Sequence, residues 1–202
     1  MHNRWILLSA AIIIVGVFFS GCISTRPQSE IPAAPPPVQS GTQTMSISSP
    51  AEFSIRVDSL AAGSVLPDVY TCKGASESPE VSWDGVPAGT KSLVLILCDP
   101  DAPGGRFTHW IVYNIPPVSG ELAQAQPNTK VLANGAQQGD TSAGSRGYYP
   151  PCPPVGTIHR YVFRLYAVDM DITQPTADRD SIDWALTGHT IAETKFTTTF
   201  KR

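Results

Sequence analysis

Two carboxylates and a histidine fall close together in residues 91–114, KSLVLILCDPDAPGGRFTHWIVYN. Asp99 and Asp101 flank Pro100, and His109 follows after Gly104-Gly105. Carboxylates accept hydrogen bonds, and imidazole donates or accepts them. An aspartate within reach of an imidazole fixes its orientation and favours its charged form. Such a trio suits recognition of an anion, and it also invites acid–base or metal chemistry. The plainer alternative is that DPDAP is only a turn whose aspartates cap their own backbone.

The elements that must position these residues are a strand and a hairpin. Residues 93–98, Leu-Val-Leu-Ile-Leu-Cys, form an apolar run bounded by Gly and Pro. That pattern predicts a strand buried on both faces. Pro100 and Pro103 fix φ and donate no backbone hydrogen bond, so the strand stops at DPDAP. Gly104-Gly105 turns the chain, and residues 107–113 start a second strand. The hairpin returns His109 toward the level of Asp99 and Asp101.

Elsewhere the period is mostly two. Phe53, Ile55 and Val57 alternate with polar residues, and Val81-Ser82-Trp83 makes a short strand. Residues 159–168 are rich in aromatic and β-branched side chains, and residues 195–200 alternate again. With 19 prolines and 16 glycines between short strands, the class is mainly β. One helix is expected near the C-terminus. Asp180 and Ser181 are N-cap choices, Ile182, Ala185 and Leu186 form an apolar stripe, and Gly188 is the stop. A second short helix is expected at residues 190–193. Residues 120–157 are the hardest to assign, and loops of that length are usually functional or mobile. They end in GYYPPCPPVG, which is rigid, aromatic and poor in backbone donors. It could wall a pocket, and loop stiffening is the simpler reading.

The N-terminal residues 1–22 read as a targeting segment. The apolar run from Trp5 to Phe19 is shorter than the roughly 20 residues that a spanning helix needs. It fits a signal sequence. Ser20-Gly21-Cys22 is similar to a lipobox, in which Cys22 would be lipidated and become the first mature residue. An uncleaved signal anchor is the alternative. Either way, residues 51–202 are expected outside the cytoplasm and tethered to a membrane. Residues 23–50 are a linker rich in Pro, Ser and Thr, expected to stay disordered or in polyproline II. At about 3 Å per residue it holds the domain up to tens of ångströms from the bilayer. Residues 51–202 suffice for one domain with a real core.

Composition excludes several classes. The chain has 14 basic and 17 acidic residues and a formal net charge of −3. It shows no lysine–arginine cluster, which argues against nucleic acid as a partner. There is no G-x-S-x-G elbow, and Cys98 follows an apolar run as a buried structural thiol would. No enzyme activity is expected. With Cys22 assigned to lipid, three cysteines remain in a compartment that permits disulfides. Cys72 and Cys152 lie in loop-like segments, so they are the expected bridge. Arg160 and Arg164 are expected to pair with acids such as Asp84 or Asp169.

DPDAPGG followed by THW, then GYYPPCPP and HRYVFRLYA, resembles the phosphatidylethanolamine-binding protein family. The likeness is greatest to the prokaryotic branch named for its similarity to Raf kinase inhibitor protein. YTCKG, SPEVSWDGVPAGTKSLVLILCDPDAP and YNIPP agree in order and spacing, so the resemblance covers nearly all of residues 53–202. It implies a Greek-key sandwich of two antiparallel sheets with one or two short helices near the C-terminus. It also implies a ligand pocket built from Asp99, Asp101, His109, Pro153, Pro154, His159 and Tyr161. The aromatic lid of eukaryotic members is expected to be absent, leaving a more open pocket.

In such a pocket His109 and His159 would donate to an anion, a phosphate or a lipid headgroup, and an aspartate would orient them. No cofactor is implied. Two His and two Asp could also hold zinc, but the spacing matches no metal pattern and no metal is expected. The family includes kinase and protease inhibitors, so a protein partner such as a peptidase is the second reading. A structural envelope lipoprotein with a vestigial pocket is a third.

Overall fold

A computed structural model of the chain describes residues 51–173 and 177–202; the signal segment, Cys22 and the linker lie outside the described residues. Strands β1 (Ser54–Val57), β2 (Val81–Asp84) and β5 (Gly120–Leu122) form one sheet in the order β1-β2-β5. Strands β3 (Ser92–Asp99), β4 (Phe107–Ile115), β6 (Gln137–Gln138), β7 (Ile158–Val168) and β8 (Thr190–Lys201) form the other. Its order is β6-β4-β3-β7-β8, and every pairing in both sheets is antiparallel.

The apolar run of β3 has a direct structural reason. β3 lies at the centre of the larger sheet, and all eight of its residues are buried. Leu93, Leu95 and Leu97 face the smaller sheet and pack with Ile55, Val81, Trp83 and Leu122. Val94 and Ile96 face the other way, toward Ile182, Ala185 and Leu186 of the helix α1 (Arg179–Leu186). A strand covered on both faces shows no alternation.

Two C-terminal expectations need correction. The N-cap of α1 is Asp178, whose side chain accepts from Ser181 N, so Asp180 falls in the first turn instead. A carboxylate there is still favoured by the helix dipole. Residues 190–193 are not helical but the first residues of β8, paired with β7 from Val168–Thr190 onward. A four-residue helix cannot offset its nucleation cost, whereas the strand gains a ladder along its whole length.

The long stretch between β5 and β7 is held by buried side chains. Gln138 accepts from Trp110 Nε1 at 2.7 Å and donates to the carbonyls of Pro127 and Thr129. Tyr148 donates to Tyr70 O at 2.6 Å. Cys72 and Cys152 are joined, with Cα atoms 5.4 Å apart, and Cys72 N donates to Pro151 O. Cys98 is free and buried.

The bridge spans 80 residues of sequence. Reducing it should destabilise the domain by about 4 kcal/mol, through the larger entropy of the unlinked unfolded chain. Thiol counting on unfolded residues 51–202 should give one thiol before reduction and three after; three at the start would rule the bridge out.

Candidate functional site

Antiparallel pairing gathers the site. Because β3 runs against both β4 and β7, its C-terminal end lies beside their first residues. Asp99 pairs with Phe107, and Cys98 pairs with both Thr108 and Val162. An acid, two histidines and a tyrosine from distant parts of the chain therefore meet at one end of the sheet.

A bulge aims His109. Leu97 pairs with Trp110 but Cys98 pairs with Thr108, so β4 carries one extra residue at this point. Trp110 and Val112 face the smaller sheet and Ile111 faces α1. Strict alternation would put His109 on the face of Ile111. The bulge instead brings it beside Tyr161, with ring centroids 5.3 Å apart. Re-aiming one side chain is a common use of a bulge. On β7, simple alternation suffices: His159 and Tyr161 turn in, while Ile158 and Arg160 turn out.

Asp99 and His159 are 4% and 5% exposed. His159 Nδ1 donates to Asp99 Oδ2 at 2.7 Å, and Asp101 N donates to Asp99 Oδ1 at 2.8 Å. Asp101 itself does not line the cavity. Its carboxylate accepts from the backbone N, Nε and Nη2 of Arg160, at 2.9, 2.9 and 2.7 Å. Hydrogen bonds from Arg160 pull its pKa down to about 2. Arg160 thus takes Asp101 rather than Asp84 or Asp169, and Arg164 pairs with Glu193. Both arginines find their acids next to them on the folded sheet, whereas Asp84 receives Ser119 and Asp169 receives His189. With Asp101 turned to Arg160, the two-His, two-Asp set weighed for zinc from the sequence does not come together at the cavity.

His109 is only 4% exposed, and its Nδ1 lies 2.8 Å from Tyr149 O. A carbonyl only accepts, so this nitrogen carries the proton. Tyr149 N in turn donates to His109 O. Burial pushes the pKa of His109 below its ordinary value, outweighing the Tyr149 hydrogen bond and the charge of Asp99. His109 is held as a neutral ring whose Nε2 offers a lone pair.

These groups open on a cavity of about 190 Å³. Pro153 and Pro154 form one wall beside Cys152, while Tyr149 and Phe107 pack near the His109 ring. The loop GYYPPCPP is therefore part of the pocket, not merely a stiff connector. Tyr149 falls in the stretch weighed as a wall from the sequence, whereas Phe107 was missed as a lining residue; the available sign was its place two residues before His109. Tyr161 also lines the cavity, and its hydroxyl is buried with no hydrogen-bond partner among the described residues. Burial raises its pKa far above the usual tyrosine value, so it remains a donor.

The family model described as phosphatidylethanolamine-binding protein matches residues 56–201. The chain belongs to that family. A UPF0098 protein of Methanothermobacter thermautotrophicus is 45% identical over 139 residues, 68% of this chain and 91% of that protein. LppC of Mycobacterium tuberculosis, which bears a lipoprotein name, is 35% identical over 178 residues, 86% of this chain and 84% of its own. Among solved structures, the Chlamydia trachomatis homologue CT736 has a TM-score of 0.68 at 36% identity, covering 76% of this chain and 99% of its own. Escherichia coli YbcL has a TM-score of 0.69 at 30% identity, covering 75% and 99%. The similarity covers nearly all of the solved CT736 and YbcL chains.

Two outcomes follow for the apo protein. Tyr161→Phe removes an unpaired buried hydroxyl and should leave stability unchanged or raise it by up to about 2 kcal/mol, read from the denaturant midpoint. A loss above 1 kcal/mol would mean the hydroxyl has a structural partner. His109 should titrate below pH 6.5 by NMR. Its folded pKa is depressed, so the unfolded chain protonates first as pH falls. This histidine's contribution is complete above pH 6.5 and is lost as pH drops toward the folded value. Asp101 adds a second loss below about pH 4, ending near its folded value of about 2.

Proposed function

We propose that this protein binds a small anion of headgroup size, a phosphate monoester or similar group, and is held at a membrane through Cys22 outside the cytoplasm. The observation carrying this reading is the convergence of two imidazoles, each with Nδ1 already engaged, on one small cavity that Tyr161 also lines. With Nδ1 used, Nε2 is the ring atom left to meet a ligand. Asp99 acts by orienting His159 and does not itself meet the anion. The volume is below the roughly 300–1,000 Å³ of common ligand clefts, which favours a headgroup over a whole lipid.

One feature favours a binding protein over an enzyme. The free thiol Cys98 is buried and sits on the strand face away from the cavity, so it offers no nucleophile beside either histidine. The lipoprotein name of LppC, whose similarity extends over more of the chain than the domain alone, supports anchoring.

The test is an NMR titration of residues 51–202 with phosphoethanolamine, inorganic phosphate and zinc. Both phosphates should shift His109, His159 and residues 148–156. Loss of these shifts in His159→Ala, and several-fold weaker binding in Tyr161→Phe, should follow. A neutral ring donates through Nε2 only after taking a proton, so affinity should rise as pH falls toward 6. Binding that is flat between pH 5.5 and 8 would contradict histidine charging. No shift with either phosphate would favour the protein-partner reading, and a shift with zinc alone would revive the metal.

A further inference from the structure

Beside the pocket mouth, the fold assembles a patch that no single stretch of sequence displays. Pro154, which lines the cavity, leads into a tight turn through Gly156 (φ 88°) and on to Ile158. Val155 is 75% exposed and Ile158 64% exposed, on either side of that turn. Ile158 pairs with Lys201, and Gly156 N donates to Arg202 O. Arg202 Nη1 lies 3.2 Å from Cys152 Sγ. Lys73 Nζ reaches Lys201 O at 3.3 Å and lies 5.4 Å from the centre of the Phe200 ring. Lys201 thus lies across the ladder from Ile158, Arg202 across from Gly156, and Lys73 beside Lys201, so three cations from two distant places in the chain share this edge with two protruding aliphatic side chains. Among the described residues, none of the three belongs to an ion pair.

We propose that this patch docks the domain on an anionic bilayer, with Val155 and Ile158 entering the interface and Lys73, Lys201 and Arg202 meeting lipid phosphates. The inference rests on the headgroup reading of the pocket and goes beyond it. Charge complementarity selects the occupant: the chain as a whole is acidic, yet this edge is basic. Apolar side chains ringed by Lys and Arg match the arrangement of interfacial membrane anchors. Cavity size points the same way. A site that admits only a headgroup leaves acyl chains outside, and they remain solvated only if the mouth faces the bilayer. The tethering expected at Cys22 keeps such a surface within reach of the domain, so weak docking suffices.

The experiment is vesicle sedimentation of residues 51–202. One set of vesicles is pure phosphatidylcholine, and the other contains phosphatidylglycerol at about a third. Each basic residue near an anionic surface contributes about fivefold in affinity. Binding should therefore require phosphatidylglycerol and fall as salt rises. The double variant Lys201→Glu/Arg202→Glu should bind at least tenfold more weakly. Val155→Asp/Ile158→Asp should do the same, and both should keep the phosphate-induced shifts of the pocket. His159→Ala should still sediment with the vesicles while losing those shifts. Absence of vesicle binding, or binding as tight as the unsubstituted domain by both patch variants, would overturn the docking proposal and leave the pocket reading standing. Patch-dependent sedimentation without any phosphate shift would support docking and sink the pocket reading.

Discussion

The site depends on one buried carboxylate. Asp99 ends a strand that is apolar from Leu93 to Cys98, and an ionised group taken out of water costs several kcal/mol unless donors meet it. Pro100 has no N–H, so the nearest backbone donor is Asp101 N, and it reaches Asp99 Oδ1. The remaining oxygen is met by His159. The two readings of DPDAP are thus not rivals. The same side chain caps the turn with one oxygen and orients the imidazole with the other. Because β3 is flanked by β4 and β7, satisfying Asp99 also fixes where those strands begin.

The two histidines occupy different electrostatic settings. His109 donates to a neutral carbonyl amid Phe107, Tyr149 and Tyr161, so burial governs its charge. His159 faces a carboxylate. A neutral imidazole with its Nδ1 proton engaged turns a lone pair to the cavity, whereas a protonated one turns a donor. Gaining a proton turns the Nε2 of His109 from an acceptor into a donor toward the cavity.

Much of this was legible in sequence, and the rest has identifiable reasons. The double-sided burial of β3 and its stop at DPDAP follow from composition alone, and motif order carried the family. The inward aim of His109 did not follow, because a one-residue bulge inverts the parity that alternation predicts. Its partner was hidden too: Tyr149 O is a backbone carbonyl, which every residue has. Asp101 read as a ligand through the DPDAP motif, yet it lies past the end of β3, in the turn, where its carboxylate meets Arg160 instead of the cavity. The basic edge was invisible because Lys73 meets Lys201 and Arg202 only through β8 and the disulfide-linked loop. Residues 190–193 misled because local propensity cannot register a long partner strand.

The wall of the cavity bears on the kind of anion site this can be. Sites at glycine-rich loops or helix N-termini hold phosphate with backbone N–H groups, which donate at any pH. Here the wall carries Pro153 and Pro154, which have no N–H to offer, and it is clamped by Cys152 and by the pairing of Tyr149 with His109. Recognition of an anion here would pass to side chains. Tyr161 keeps its proton at any physiological pH, but the imidazoles donate through Nε2 only after gaining one. An anion entering such a pocket would arrive together with a proton, carried in on its own oxygen or taken up by a histidine.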